Sequence, residues 1–358
     1  MRGRRRARRA GDTPIPALLA ACEPGLEPVV ASELEELGLG PAAVAQEGLL
    51  RLECPPVAAD VPGALGARTA DDLYVEVWAG GPGGLAAWTA RAAPLPAGAL
   101  ALHRRVLAGQ GRRPRGRLKV TCFVRDRSDL RRRDVEASLG RQLLVAHPGW
   151  RLDPDRPDAE VVVFVDAHSA VVALRLTDPA FRHRGYGRAI AALSPTVAAA
   201  LVRLSAPAAD DRFLDPCCGG GTILLERALI GLPYAELLGG DLSEEALSVA
   251  RANFGPRHQP WTLRRWDARH LPLPAASVSR VACNLPFGVQ LPAAGGVAAF
   301  TAPCLAEAAR VLRPGGRMVF LWPARPEVGT PPGVEAVRRV DFLLAGRPVA
   351  ARVYRRPP

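Results

Sequence analysis

The sequence predicts an α/β chain in which a small α+β module and a basic α+β domain precede an open, doubly wound parallel sheet. Three observations carry that expectation. The run Phe213 to Thr222 closes a short apolar stretch with Asp215 and sets three consecutive glycines before a helical pattern. Three successive strand-like runs in the same half end in acids, namely Asp215, Asp241 and Asp267. Upstream of them, residues 101–150 hold 13 basic side chains against 4 acidic ones, within a chain whose formal net charge is +12.

With 358 residues the chain is long enough for two or three domains, each with a sizeable core. Lys119 is the only lysine among 47 basic residues, and alanine, glycine and proline abound, a bias of composition more than of function. That bias does not explain why acids fail to balance arginine locally. Six of the first ten residues are arginine, and these together with residues 101–150 carry the whole positive excess. Charge gathered in one segment is the footprint of a polyanion-binding surface, the plainer alternative being a solvated face and a disordered tail. No apolar run approaches the roughly 20 residues that cross a membrane. No signal-peptide apolar region follows the basic start, and the seven cysteines are odd in number without Cys-x-x-Cys spacing, so free thiols in a cytoplasmic protein are expected, with no metal.

Taken in order, residues 1–13 read as a disordered basic arm. Ala17 to Cys22 is a short strand, Pro24 and Gly25 turn, and Leu26, Val29, Val30, Leu34 and Leu37 share one helical face before Gly38. Leu49 to Leu52 is a further strand. No element is assigned between Ala79 and Gly98. Leu118 to Arg125 alternates in strand fashion. The helix after it carries Val135, Leu139, Leu143 and Ala146 as an apolar stripe and Arg131, Arg132 and Arg133 at its start, where cations oppose the helix dipole and suit a bound anion. Glu160 to Val165 and Ser169 to Leu176 complete this basic part. Asp178 to Arg188 is a linker in which His183, Arg184 and Tyr186 are available to touch a substrate.

Pro195 then opens a helix with Val197, Leu201 and Leu204 on one face. The glycine loop follows: glycine takes positive φ without strain and lets a ligand approach bare backbone, and the helix behind it offers unpaired amides. Leu237 to Asp241 ends in an acid placed for ribose hydroxyls, with Ser243 as N-cap and Glu244 and Glu245 in the first turn. Thr262 to Trp266 precedes Asp267. Arg280 to Cys283 runs into Asn284-Leu285-Pro286-Phe287-Gly288, and Arg313 to Gly316 turns into the strand Met318 to Trp322. Acids at the tips of consecutive parallel strands face one sheet edge, where open α/β sheets bind ligands.

With these residues in place the chain resembles, over nearly its whole length, the class I S-adenosylmethionine-dependent methyltransferases, specifically the THUMP-domain RNA guanine-N2 methyltransferases. The resemblance implies an N-terminal ferredoxin-like α+β module over 14–78, a THUMP RNA-binding domain over 79–177, a linker over 178–194 and a Rossmann-like class I methyltransferase domain over 195–358. It implies S-adenosyl-L-methionine as cofactor, held by Asp215, Pro216, Cys217, Gly219, Gly221 and Thr222 of the loop, by Asp241 and Leu242 at the ribose, by Asp267 and Ala268 at the adenine, and by Asn284. Asn284, Leu285, Pro286 and Phe287 would be the amino-methylating motif, in which Leu285 stands where proline is more common. An exocyclic base amine is a poor nucleophile because its lone pair is delocalised into the ring. The Asn284 oxygen and the Leu285 carbonyl could hold its two N–H groups, and Phe287 could stack a base drawn out of its helix. The implied partner is tRNA, gripped at its 3′ end, with Lys119, Arg112, Arg113, Arg115, Arg131, Arg132 and Arg133 as RNA-binding residues and a monomer as the expected state. A ribosomal RNA guanine methyltransferase, a DNA adenine-N6 methyltransferase and a non-catalytic RNA-binding protein are the alternatives.

Overall fold

Short apolar runs bounded by glycine and proline become the strands of two separate sheets. The computed structural model describes residues 17–53, 65–125, 130–178, 193–287 and 296–358. The basic arm at 1–13, nearly all of the linker with His183, Arg184 and Tyr186, and Gly288 of the motif lie outside the described residues. Contacts divide the chain into one unit of residues 1–21, 31–67 and 72–178 and a second of residues 22–30, 68–71 and 179–358.

The first unit is built on an eight-stranded sheet. In chain order the elements are β1 (Leu18–Ala21), α1 (Glu27–Glu36), β2 (Ala42–Gln46), β3 (Leu49–Leu52), β4 (Asp72–Gly80), α2 (Leu85–Ala92), α3 (Ala97–Gly109), β5 (Arg117–Val124), α4 (Arg132–Ala146), β6 (Arg151–Leu152), β7 (Ala159–Val165) and β8 (Ala170–Arg175). The strands run β2-β3-β1-β4-β8-β7-β5-β6 across the sheet. β7, the valine-rich run, is buried along its whole length, as a central strand covered on both faces must be. α4 buries Val135, Leu139 and Leu143 as its spacing predicts, whereas Ala146 is exposed at the last turn. The stretch left unassigned from Ala79 to Gly98 holds α2 and the first two residues of α3, and the Trp88 ring of α2 stacks on Trp78 of β4 with centroids 5.6 Å apart.

The second unit continues with α5 (Pro195–Leu204), β9 (Arg212–Asp215), α6 (Thr222–Leu229), β10 (Glu236–Asp241), α7 (Glu244–Phe254), β11 (Trp261–Arg265), β12 (Val278–Asn284), α8 (Gly296–Val311), β13 (Leu312–Pro323), β14 (Glu335–Leu344) and β15 (Arg347–Arg355). The strand order is β11-β10-β9-β12-β13-β15-β14. The first five strands in that order are parallel, and β15 inserts antiparallel between β13 and β14. The chain order reverses at β9, which has β10 on one side and β12 on the other, and this switch point is where such sheets open a crevice at their carboxyl ends.

Two details differ from the expectation. α5 does not bury a single stripe: every residue except Arg203 is buried, the helix packing against β12, β13 and α6. Arg313 to Gly316 is not a free turn but the start of β13. Gly315 at φ 72° and the hydrogen bond its amide donates to the Arg356 carbonyl let the proline–glycine run continue the strand.

Candidate active site

β9 delivers Asp215 to the switch point with its side chain almost fully buried. Burial pushes the Asp215 carboxyl up to about 8, the nearby Asp241 charge adding to the effect, while the Cys217 amide (3.2 Å) and the Cys283 thiol hydrogen bond to it. The loop that follows is fixed from several directions. The Cys218 amide donates to the Gly240 carbonyl at 2.8 Å. Gly219, at φ 52°, donates its amide to Asp241 Oδ2 at 2.8 Å. The Gly220 carbonyl accepts from Asn253 Nδ2 at 2.9 Å. Gly221 sits at φ 82°, and a Cβ there would lie 2.9 Å from the Phe254 ring, so α7 closes directly on the loop backbone. α6 begins at Thr222 with no side-chain cap, leaving its first amides for a ligand.

Asp241 closes β10 and divides its oxygens, Oδ1 accepting from the Ser243 amide at 2.9 Å and Oδ2 from Gly219. Ser243 caps α7 through Ala246, as the sequence predicts. Leu242 is 52% exposed beside Asp241. Past β11, Asp267 is gripped by the Arg269 guanidinium at 2.8 to 3.2 Å, and these hydrogen bonds hold its carboxyl down at about 2. The same guanidinium lies 5.8 Å from the centre of the Phe300 ring. The Ala268 side chain is buried in the apolar core under the sheet, together with those of Cys283 and Leu285.

β12 ends in Asn284, whose register partner on β13 is Leu321. The Asn284 Oδ1 atom is buried and has no hydrogen-bond partner among the described residues. An unpartnered buried amide oxygen is costly and marks a position where a donor is missing. Leu285 explains its own presence in the motif: its amide donates to the Leu321 carbonyl at 3.0 Å, a bond proline could not make, and its side chain fills the core. Pro286 and Phe287 are half-buried. The structure therefore brings Asp215, Pro216, Cys217, Gly219, Gly221, Thr222, Asp241 and Asn284 to one edge of one sheet, with Asp267 at the end of the neighbouring outer strand.

The basic residues lie in the first unit. Lys119 pairs with Glu160 at 3.6 Å, Arg112 with Asp178 at 2.9 Å and Arg132 with Glu136 at 2.8 Å. Arg113, Arg115, Arg131 and Arg133 are exposed, and among the described residues none of the four forms an ion pair. Sequence reasoning missed Asn253 and Arg269. An asparagine inside a helix is a poor helix former, which is the one signal that could have singled out Asn253; Arg269 carried none. Among the described residues no cluster of side chains could hold a metal ion, no helix is long and apolar enough to cross a membrane, and six cysteines are free.

Known proteins place this geometry in context. Residues 182–339 match the family model described as RMKL-like, methyltransferase domain. The chain is 31% identical over 335 residues to the tRNA (guanine(6)-N2)-methyltransferase of Thermus thermophilus, an alignment spanning 92% of this chain and 96% of that one. Among solved structures, TrmN from Thermus thermophilus superposes with a TM-score of 0.75 at 29% identity, covering 95% of this chain and 99% of the other. SMU.472, crystallised with SAH, superposes with a TM-score of 0.72 over 97% of this chain and 99% of its own; at 16% identity the likeness is one of fold.

Proposed function

Because the chain belongs to the S-adenosylmethionine-dependent tRNA guanine-N2 methyltransferases, we propose that it methylates the N2 amine of a guanosine in tRNA, at position 6, where its Thermus thermophilus relative is named for acting. The observation that carries this reading is the buried, unpartnered Asn284 Oδ1 at the switch point, one strand away from the glycine loop.

The residues present suit the cofactor. A cradle of glycine backbone that a Cβ at Gly221 would crowd, an uncapped helix start and a carboxylate at the tip of β10 match a ligand with a ribose and an amino-acid tail. When bound, S-adenosylmethionine supplies a methyl group on a sulfonium sulfur, open to in-line displacement. Asp241 would accept from the ribose hydroxyls with the lone pairs that Gly219 and Ser243 leave free. Asp267, oriented by Arg269, would face the adenine amine, with Leu242 and Ala268 beside the ring. At the acceptor end, Asn284 Oδ1 and the Leu285 carbonyl would take the two N–H groups of the guanine amine. Holding both favours a pyramidal nitrogen whose lone pair can attack. Phe287 would stack the extruded base. Most of the acceleration then comes from placing nucleophile and methyl in line.

Upstream of the linker we assign 14–78 to the ferredoxin-like module and 79–177 to the THUMP domain, and phosphate contacts first to Arg113, Arg115, Arg131 and Arg133. A cytoplasmic enzyme acting as a monomer belongs to the same proposal.

The test is incubation with methyl-labelled S-adenosylmethionine and unmodified tRNA, followed by nucleoside analysis. Labelled N2-methylguanosine mapping to position 6 is expected. Label in N6-methyladenosine, or in ribosomal RNA alone, would replace the substrate, and no label in any RNA would leave a binding protein.

A further inference from the structure

We propose that Phe123 on β5 stacks an unpaired base of the bound RNA and that Arg125 takes the phosphate beside it; the proposal rests on the reading of the chain as an RNA-binding enzyme. Leu118 and Cys122 are buried on one side of β5, and the alternation sets Phe123 on the other. Of the Phe, Tyr and Trp side chains among the described residues, Phe123 alone is exposed, at 42%. One exposed apolar residue says little by itself. Its geometry says more.

The Phe123 ring stacks on that of Phe164, with centroids 5.6 Å apart and planes 15° apart. Phe164 is buried and is in turn met edge-on by Tyr74 at 5.4 Å. A row of buried rings thus fixes the plane of the exposed one, so a base that stacks on it loses little freedom in the protein. Phe164 is also the register partner of Phe123 on β7, which turns the other ring face toward the sheet edge. There β6 pairs only with Arg117 and Leu118, and among the described residues no strand lies alongside Phe123.

The surroundings favour an anion. The Arg125 amide donates to the Val165 carbonyl at 2.7 Å, carrying the ladder past β5 and placing Arg125 two residues beyond Phe123, about 6 to 7 Å along the chain. Its Nη1 atom is buried and has no hydrogen-bond partner among the described residues. A buried donor without an acceptor is costly, and a phosphate oxygen relieves it. The acid nearest Phe123 on the strand's other side, Glu160, is already engaged: it accepts from Arg175 at 2.6 Å and from Thr121, and faces Lys119 at 3.6 Å. With 13 basic against 4 acidic residues over 101–150, a polyanion is favoured over a peptide strand at this edge.

The experiment is tRNA binding by the full-length protein over a series of salt concentrations, for wild type, Phe123→Ala, Phe123→Leu, Phe123→Trp and Arg125→Gln. Loss of one stacked base corresponds to about a five- to hundredfold rise in Kd for Phe123→Ala, with the salt slope unchanged because stacking releases no counterions. Phe123→Leu still covers Phe164 but offers no ring face, and should bind nearly as weakly; Phe123→Trp should bind as the wild type or more tightly. Arg125→Gln should do the reverse, flattening the slope by about 0.7. Wild-type Kd in Phe123→Leu makes the ring a lid over Phe164 and overturns the proposal, as does an unchanged slope in Arg125→Gln. A Phe123→Ala slope that falls with the affinity also overturns it, the neighbouring cations then having moved. If Phe123→Ala does not fold, Phe123→Leu decides between the two outcomes. A wild-type protein that binds no tRNA would instead sink the RNA reading itself.

Discussion

The Gly219 amide donates to Asp241 Oδ2 at 2.8 Å, so the acid at the tip of one strand holds the glycine loop of the next. The sequence led to a cofactor role alone for Asp241; on the proposed assignment, its contact with Gly219 joins loop and ribose site in one assembly. Asp241→Ala should weaken S-adenosylmethionine binding by more than the 1.5–3 kcal/mol typical of one charge-assisted hydrogen bond, at about 3 kcal/mol or above. Asp241→Asn can still accept from Gly219 and should lose less. Calorimetry checks both, and equal losses in the two variants would remove the loop-holding role.

Asn284 presents the complementary case, a side chain whose buried Oδ1 has no hydrogen-bond partner among the described residues. Asn284→Ala should leave cofactor and tRNA affinity close to wild type, and even relieve a buried unpartnered oxygen, so the melting temperature should hold or rise. Methyl transfer in a single turnover should fall by about a hundredfold or more, since the lost contact tightens in the transition state. A single-turnover rate near that of the wild type would move catalysis away from β12.

Asp215 ties the site to pH. Because burial pushes its carboxyl up to about 8, the folded protein keeps a proton that the unfolded chain releases in the ordinary carboxylate range. The stability linked to that proton is full below the ordinary value and is lost as pH rises toward and through about 8. The wild-type melting temperature should therefore drop between about pH 5 and about pH 9 more steeply than that of Asp215→Asn. A cationic ligand favours the ionised carboxylate, so cofactor affinity should climb over the same window in the wild type and stay flat in the variant. Parallel melting curves for the two proteins would show that Asp215 does not titrate there.

Much of this was legible in the sequence because the chemistry is local. A strand ending in an acid and running into three glycines, Ser243 ahead of Glu244 and Glu245, and the alternation in β5 each announce themselves within ten residues. Other parts depend on partners far away in the chain. Nothing local in the sequence marks the charged Glu226 and Arg227 as buried; Arg68 and Asp211 meet them in space. α2 and α3 were hidden by alanine and glycine, whose small side chains carry little periodic contrast. β14 was hidden for the opposite reason: Arg338, Arg339 and Asp341 face solvent along an edge strand, and only Val340 and Phe342 are buried.

The basic surface of the first unit now divides into two groups with different expected weights. Lys119, Arg112 and Arg132 already face carboxylates, so an RNA phosphate must compete with Glu160, Asp178 and Glu136 for them. Arg113, Arg115, Arg131 and Arg133 are exposed and meet no such competitor among the described residues, and Arg131 stands at the uncapped start of α4, where free amides add to its charge. Each phosphate neutralised contributes about 0.7 to 0.9 to the slope of log affinity against log salt. Changing these four arginines to alanine should therefore flatten the salt dependence of tRNA binding by about 2.8 to 3.6 if each holds one phosphate, while cofactor affinity stays constant. Replacing Lys119, Arg112 and Arg132 together should flatten it by less, since each already spends much of its charge within the protein. Binding titrations of tRNA over a series of salt concentrations measure both sets. A fourfold variant with the slope and affinity of the wild type would make these arginines a solvated face and move the RNA surface elsewhere.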